Sequence, residues 1–375
     1  MQLELTQDQE FFRETTHRFI SAEAPIATVR ALHDDPMGFD TAWWRQAAKL
    51  GWTAMLVGED HGGGSLSGKP LADAVIVAEE IGRGAAPGPF LPVNVVASAL
   101  SDAGAPGAHG ALLAGIVAGD AIATWAFGES GSTWTPAGMT TTATPDGDHI
   151  IVDGAKAYVE AANAADHLLV TARTGEALTQ VLVPARADGV RIVPAGSIDL
   201  GRRFAGVSFA GVRLPLSAVV GEVGGATDAV ERQLQIALVL QCADIVGGLD
   251  RVFQFTLEYM NDRYAFGRPI ASYQALKHRV ADLLLQLESA KGCVDGAVEA
   301  IDAGREDASV EARVAKAYVA DKAMHIIQEC MQFHGGISVT WEHDLHLYLR
   351  RASVNRALYG TPEHHRDRIC ALLGF

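Results

Sequence analysis

Apolar residues recur at helical spacing through the first third of the chain: Phe11, Phe12, Phe19 and Ile20 in one segment, then Trp43, Trp44, Ala47, Leu50 and Trp52 in the next. Thr6 followed by Gln9 has the spacing of a capping box at the start of the first helix. A glycine-rich stretch, 58–68, separates these segments from another helix at 71–82, and the Ala/Gly-rich 104–119 reads as a short helix with loops. The period then changes. Between about 121 and 220 the chain is rich in Thr, Val and Gly, with strand-like runs at 121–127, 149–153, 167–172, 180–184 and 206–209. Turns such as Asp146-Gly147, Asp153-Gly154 and Asp188-Gly189 punctuate it. From Thr227 the helical period returns, with one stripe through Val280, Leu283, Leu284, Leu287, Val294, Val298 and Ile301 and another through Val310, Val314, Tyr318, Met324, Ile327 and Met331. The pattern predicts a multi-domain α and β protein: an N-terminal helical domain (1–118), a central β-barrel domain (119–225) and a C-terminal four-helix bundle (226–375).

Composition narrows the function classes. With 375 residues, 49% of them hydrophobic, the chain has apolar material for two or three ordinary cores. Thirty Lys and Arg against 45 Asp and Glu leave a net charge of -15, so the mean field repels nucleic acid, and any anionic ligand needs a local basic site. Cys242, Cys293, Cys330 and Cys370 lie far apart without a CxxC pair, and are expected to be buried thiols in a reducing compartment. The polar, acidic start has no secretory pattern, and no apolar run reaches the roughly 18 residues of a membrane span, so a cytoplasmic location is expected. His343-x-x-His346 and His364-His365 lack a third ligand at familiar spacing, and no metal site is expected.

Two segments carry chemistry. In the first, Arg263-Tyr264-Ala265-Phe266-Gly267-Arg268-Pro269-Ile270, followed by Gln274, a long helix breaks and restarts, leaving a guanidinium and an amide at a corner. Such a guanidinium either grips a pyrophosphate by paired charge-assisted hydrogen bonds or pairs with a helix end. In the second, Gln332-Phe333-His334-Gly335-Gly336, two glycines after a helix either let main-chain N–H groups approach a ligand or serve only as a helix stop.

Together these segments resemble the acyl-CoA dehydrogenase family, which has an Arg-x-x-Phe-Gly-x-Pro-Ile stretch with a downstream Gln, and later a Gln-x-x-Gly-Gly. The stretches 50–64 and 153–166 resemble the family's first-domain and β-domain signatures, so the likeness spans nearly the whole chain. It implies FAD lying across a subunit interface, an acyl-CoA substrate, an electron-transfer flavoprotein as electron acceptor, and a homo-tetramer or a heterotetramer with a paralogue. By the same resemblance Arg263, Phe266, Gly267, Gln274, Gln332, Gly335 and Gly336 stand at positions that hold the ADP half. Trp125, Phe127, Gly128 and Tyr158 stand where the family packs against the flavin ring, and Thr361 is expected at the cofactor site. Arg366, Arg368, Arg202 and Arg203 are the basic residues available for the CoA phosphates.

The chain departs from the family where a carboxylate takes the α-proton of the thioester. Tyr359 occupies the usual position of that base, in Leu358-Tyr359-Gly360-Thr361, and the alternative position on the long helix is Ala237. A phenol with a pKa near 10 is a poor base at neutral pH. Asp244, about two turns beyond Ala237 on the same helix face, is the substitute base to weigh against a purely structural helix-to-helix contact. Glu160 stands where the family has a small hydroxyl residue beside the flavin, and a carboxylate there opposes the charge of a reduced ring. Some actinobacterial members acting on steroid side chains pair a base-bearing subunit with a base-lacking one. Two readings follow from the resemblance: FAD-dependent oxidation of an acyl-CoA to the α,β-unsaturated thioester, alone or in a heteromer, or a non-catalytic subunit completing a paralogue's FAD site.

Overall fold

Thr6 starts the first helix as its spacing predicts: its hydroxyl accepts from the Gln9 N–H at 3.2 Å, and the Gln9 side chain accepts from the Thr6 N–H at 3.1 Å. The computed structural model describes residues 5–105, 107–131 and 134–375. Gln9 also donates to buried Asp73 at 2.8 Å, so the cap of α1 (Gln7–Glu23) ties that helix to α4 (Pro70–Gly84). Asp73 accepts as well from Ser65, and from the N–H groups of Leu66 and Ser67, which folds the glycine-rich loop onto α4. Helices α2 (Ile26–Ala31), α3 (Thr41–Lys49), α5 (Phe90–Asp102) and α6 (Ala108–Ala118) complete this part. Trp43, Trp44 and Trp52 are buried, but Phe11 is exposed: the inward stripe of α1 runs through Phe12, Thr16 and Ile20 at steps of four and leaves position 11 outside.

The strands form one eight-stranded sheet: β1 (Ala123–Ala126), β2 (Thr142–Asp146), β3 (His149–Glu160), β4 (His167–Thr174), β5 (Ala177–Pro184), β6 (Val190–Ala195), β7 (Phe204–Pro215) and β8 (Val219–Val220). The order is β6-β7-β3-β2-β4-β5-β8, with β1 paired in parallel to β4, so the barrel expected from the strand pattern is realised as an open sheet path. Long β3 and β7 shift register between Val152 and Gly154 and again between Lys156 and Val159. The second irregularity contains Tyr158 and re-aims its ring. The loop after β1 is fixed to β3 by a buried ion pair: Lys156 Nζ lies 2.7 Å from Glu129 Oε1 and donates to the Phe127 carbonyl at 3.1 Å. Glu129 also accepts from the N–H groups of Thr140 and Thr141. Burial alone would raise the Glu129 carboxyl, but Lys156 and Thr140 outweigh it and hold it at about 2.

The last part is helical: α7 (Thr227–Asp262), α8 (Gln274–Asp302), α9 (Ala308–His334), α10 (Leu345–Ala357) and α11 (Pro362–Leu372). The break after α7 holds a two-stranded hairpin, β9 (Tyr264–Ala265) and β10 (Arg268–Pro269). On α8, Leu283, Leu287, Val294, Val298 and Ile301 face inward, while Leu284 lies off that stripe and is exposed. One continuous core joins the N-terminal helices, the bundle and the bundle-facing side of the sheet, including Trp125, Phe127 and Leu169, and a second core fills the sheet. Cys242 and Cys330 are buried as expected, Cys293 is half-buried and Cys370 is exposed, since α11 ends the chain at the surface. No helix among the described residues is long and apolar enough to cross a membrane.

The crossing of α4 and α7 is closed by glycine on both sides. A Cβ at Gly82 would overlap the Asp244 carbonyl, and one at Gly247 would overlap the Glu79 carbonyl. Because main chain is the obstacle, neither site relaxes by rotating a side chain. Gly247→Ala is therefore expected to cost about 3 kcal/mol, the upper range for overpacking. A urea midpoint that moves by less than the equivalent of about 0.5 kcal/mol would contradict this packing. A pH prediction follows from Glu129. Its folded pKa lies below the unfolded value of 4.5, so its contribution is complete above that value and is lost as pH falls toward about 2. Across this window the parent should lose about 3 kcal/mol more than Glu129→Gln; parallel acid-unfolding curves would show that the pair does not titrate as described.

Candidate functional site

The first sequence-predicted cluster lies on the outside of the bundle. Phe266 and Gly267 form the two-residue turn between β9 and β10, with φ of +54° and +82°, as a type I′ turn requires. The turn holds the Phe266 ring 98% exposed. An aromatic residue kept in the left-handed region and pushed into solvent is strained and, in the isolated chain, unrewarded. Arg263, the C-cap of α7, is exposed and has no ion-pair partner among the described residues; Gln274, the first residue of α8, and Gln332 are exposed too. Gly335 takes φ +67° and ψ −150°, and neither it nor Gly336 has any atom within 4 Å of where a Cβ would be, so both present open main chain. The Tyr259 hydroxyl, on the last turn of α7, donates to the His334 carbonyl at 3.3 Å, and the two rings stack with centroids 4.3 Å apart. The structure thus brings both corners to one end of the bundle. A free guanidinium, exposed amides, an aromatic ring and open glycine backbone suit the diphosphate and adenine of a nucleotide. The ADP half of FAD fits them.

The second cluster, Trp125, Phe127, Gly128 and Tyr158, is buried apart from Tyr158, whose ring is about half exposed at the rim. Trp125 and Phe127 are buried and stacked at 4.5 Å, Tyr359 stacks on Trp125 at 5.8 Å, and the Trp134 ring contacts Phe127, Tyr158 and Tyr359. Trp134 also lies against Gly128, filling the space a side chain there would need. Trp134, Tyr158, Phe266 and Tyr359 are four of the seven described non-glycine residues with positive φ. Backbone strain in this chain therefore concentrates at the two clusters. The Tyr359 phenol is pushed further up by burial and by Glu160, away from any role as a base.

Glu160 and Arg202 settle the fate of the interior. Arg202 Nε and Nη2 meet the two Glu160 oxygens at 2.7 and 2.5 Å, both side chains are buried, and Glu160 keeps the guanidinium charged against its desolvation. Arg202 also donates to Asn355, which donates to Asp244 at 2.7 Å. Arg351 completes the network, 3.2 Å from Asp199 and 3.5 Å from Asp244. Burial raises the Asp244 carboxyl against the pull of Arg351 and Arg202. The space left among α4, α5, α7 and these groups is a cavity of about 30 Å³, room for little more than a water. The buried rings of Trp125, Phe127 and Tyr359 occupy each other's faces, which leaves Tyr158 as the exposed aromatic surface of this cluster.

The remaining predicted residues are dispersed. Ala237 is buried in α7, and Thr361 caps α11 by accepting from the His364 N–H at 3.3 Å. Arg202 is committed to Glu160, and Arg203 to the carbonyls of Leu32, His33 and Asp35, which removes both from the surface set for CoA phosphates. Arg366 pairs with Asp321, while Arg368 lines a cavity of about 310 Å³ beside Tyr359, together with Arg313 and His364. Sequence reading missed Trp134, Arg351, Asn355 and Lys316. Lys316 is fully buried, and its ammonium donates to Gln241 and to the carbonyls of Asn355 and Leu358, pinning the turn that carries Tyr359. Its one sequence signal is a lysine inside an otherwise apolar helical stretch.

Comparison with known proteins identifies the family. Residues 6–120 match the acyl-CoA dehydrogenase N-terminal domain and residues 224–373 the C-terminal domain. Acyl-CoA dehydrogenase IpdE2 of Mycobacterium tuberculosis is 30% identical over 364 residues, covering 97% of this chain and 96% of that one. Among solved structures, a variant of the Tcur3481-Tcur3483 steroid ACAD superposes with a TM-score of 0.89 at 26% identity, covering 98% of both chains. The ChsE4-ChsE5 complex of Mycobacterium tuberculosis gives 0.89 at 25% identity, covering 100% of this chain and 99% of that one. The chain belongs to the acyl-CoA dehydrogenase family, whose members are FAD flavoproteins of lipid metabolism.

Proposed function

We propose that this chain is the non-catalytic partner of a base-bearing acyl-CoA dehydrogenase subunit, lending its outer corners to the ADP half of an FAD whose ring lies in the other chain. The observation that carries this reading is the closure of the interior by the Glu160–Arg202 network and the stacked aromatic rings, beside an outer nucleotide face left open. In a two-fold dimer each subunit offers its corner face to the other's ring-binding face. In this chain the two faces disagree, one built for a nucleotide and the other already filled, so a copy of itself is a poor partner. Two similar structures are named for two different components, Tcur3481-Tcur3483 and ChsE4-ChsE5, which supports a paralogue as the partner. FAD, held at its ADP half by these corners, would supply the hydride acceptor for an acyl thioester, with an electron-transfer flavoprotein as the onward acceptor. This chain's own residues bind and orient: Arg263 neutralises the diphosphate, Gly335 leaves room for close approach while its own N–H caps α9 on the Met331 carbonyl, Gly336 offers a main-chain N–H group, and Phe266, Gln274 and Gln332 enclose the nucleotide.

A second reading keeps the chemistry in this chain, with acyl-CoA bound and Asp244 as base. It is favoured by the raised pKa of Asp244 and by its place on the wall of the small cavity.

Two measurements distinguish the readings. Purified alone, the chain should be colourless near 450 nm and inert toward acyl-CoA; co-purified with a base-bearing paralogue it should carry one FAD per two chains. Arg263→Ala in that assembly should weaken FAD retention about 10- to 100-fold, the value of a charge-assisted contact, and unchanged flavin content would remove the site assignment. A yellow, acyl-CoA-reducible single chain would overturn the first reading. In that case Asp244→Asn should abolish turnover, and full activity in the variant would eliminate Asp244 as base.

A further inference from the structure

We infer that His334 is a positioning residue that sets the spacing between the two nucleotide-gripping corners; this rests on the proposed nucleotide face. His334 is the last residue of α9 and leads directly into the Gly335–Gly336 corner, yet its side chain is buried against the end of α7. Its ring stacks on Tyr259 at 4.3 Å and meets Phe255 edge-on at 5.7 Å. Its Nε2 lies 3.2 Å from the Thr256 hydroxyl. That hydroxyl donates to the Val252 carbonyl at 2.7 Å, so it offers a lone pair to the imidazole, and Nε2 carries the proton. Tyr259 is the carbonyl partner of the Arg263 N–H at 2.8 Å, so the ring that His334 stacks on sits one turn before the guanidinium corner. The Tyr259 hydroxyl closes the loop by donating to the His334 carbonyl.

One residue therefore joins the glycine corner to the arginine corner through a ring stack and two hydrogen bonds. The neighbouring helix supplies only a more distant strut, in which Arg279 pairs with Glu329 and lies 5.1 Å over the Phe333 ring. The His334 side chain is buried and is not itself part of the exposed nucleotide face. Burial, reinforced by His343 at 4.8 Å, holds its imidazole neutral down to about 4, so the Nε2–H donor persists through the physiological range. A displacement of an ångström between two grips on one diphosphate is enough to lose bidentate geometry.

The test is a double-mutant cycle on FAD affinity in the full-chain assembly as purified, with ADP as a second probe of the same half-site. His334→Leu should weaken FAD about 10-fold and ADP similarly, with the thermal midpoint of the apo assembly little changed. His334→Gln, which can still donate to Thr256, should recover most of the loss and serves as the test if the leucine variant does not fold. The double variant with Arg263→Ala should bind no more weakly than Arg263→Ala alone, because a misplaced corner and an absent guanidinium are the same defect. Additive losses, or undiminished affinity in His334→Leu while Arg263→Ala is impaired, would overturn the inference. If Arg263→Ala itself leaves both affinities unchanged, the failure is that of the nucleotide face, and not of His334 alone.

Discussion

A buried bidentate ion pair, Glu160 with Arg202, decides what the rest of this chain can do. Two charges taken out of water are tolerated only with close geometry and with their remaining hydrogen-bonding groups satisfied. Asn355, Asp244, Arg351 and Asp199 are drawn in to meet that demand, and together they tie the end of β3 and the loop before β7 to α7 and α10. The cavity left beside this network, about 30 Å³, is too small for an acyl chain. Removing one member would strand its partner's charge, so the network tends to persist or disappear as a unit.

Closure of the interior gives meaning to the strain outside. Phe266 is held in an unfavourable backbone conformation with its ring in solvent, and Gly335 sits at positive φ with open space where a side chain would stand. Both costs become intelligible if another molecule completes the surface. The chain is thus closed around its Glu160–Arg202 network and open at its outer corners. That asymmetry is what the proposed role in an assembly of unlike subunits rests on.

Much of this was legible in residue order. The change of period near Ala121 and its return at Thr227 follow from alternating and helical burial, and the sheet and helices observed there obey it. The Thr6–Gln9 cap is a local interaction, complete within four residues, and sequence alone specifies it. The corners at Arg263 and Gly335 were recognisable because glycine and proline leave local marks. That they share one end of the bundle was not, because the link runs through Tyr259 and His334, 75 residues apart. The ionic network was hidden for the same reason. Glu160 stood out as an odd residue, but its partner Arg202 was counted among the cations available for CoA phosphates, and Arg351 carried no signal of its own. Phe11 and Leu284 fitted apolar stripes by spacing yet lie one position off the buried face, a distinction that period alone does not make.

The most direct measurement is an experimental structure of the assembly that this chain forms in its cell, at a resolution that shows FAD. The account requires the diphosphate to lie against Arg263 and the Gly335–Gly336 corner of this chain, with the isoalloxazine in a different polypeptide and Glu160 still paired to Arg202. A flavin ring seated between this chain's own Trp125 and Tyr158, with the ion pair parted to admit an acyl group, would contradict it.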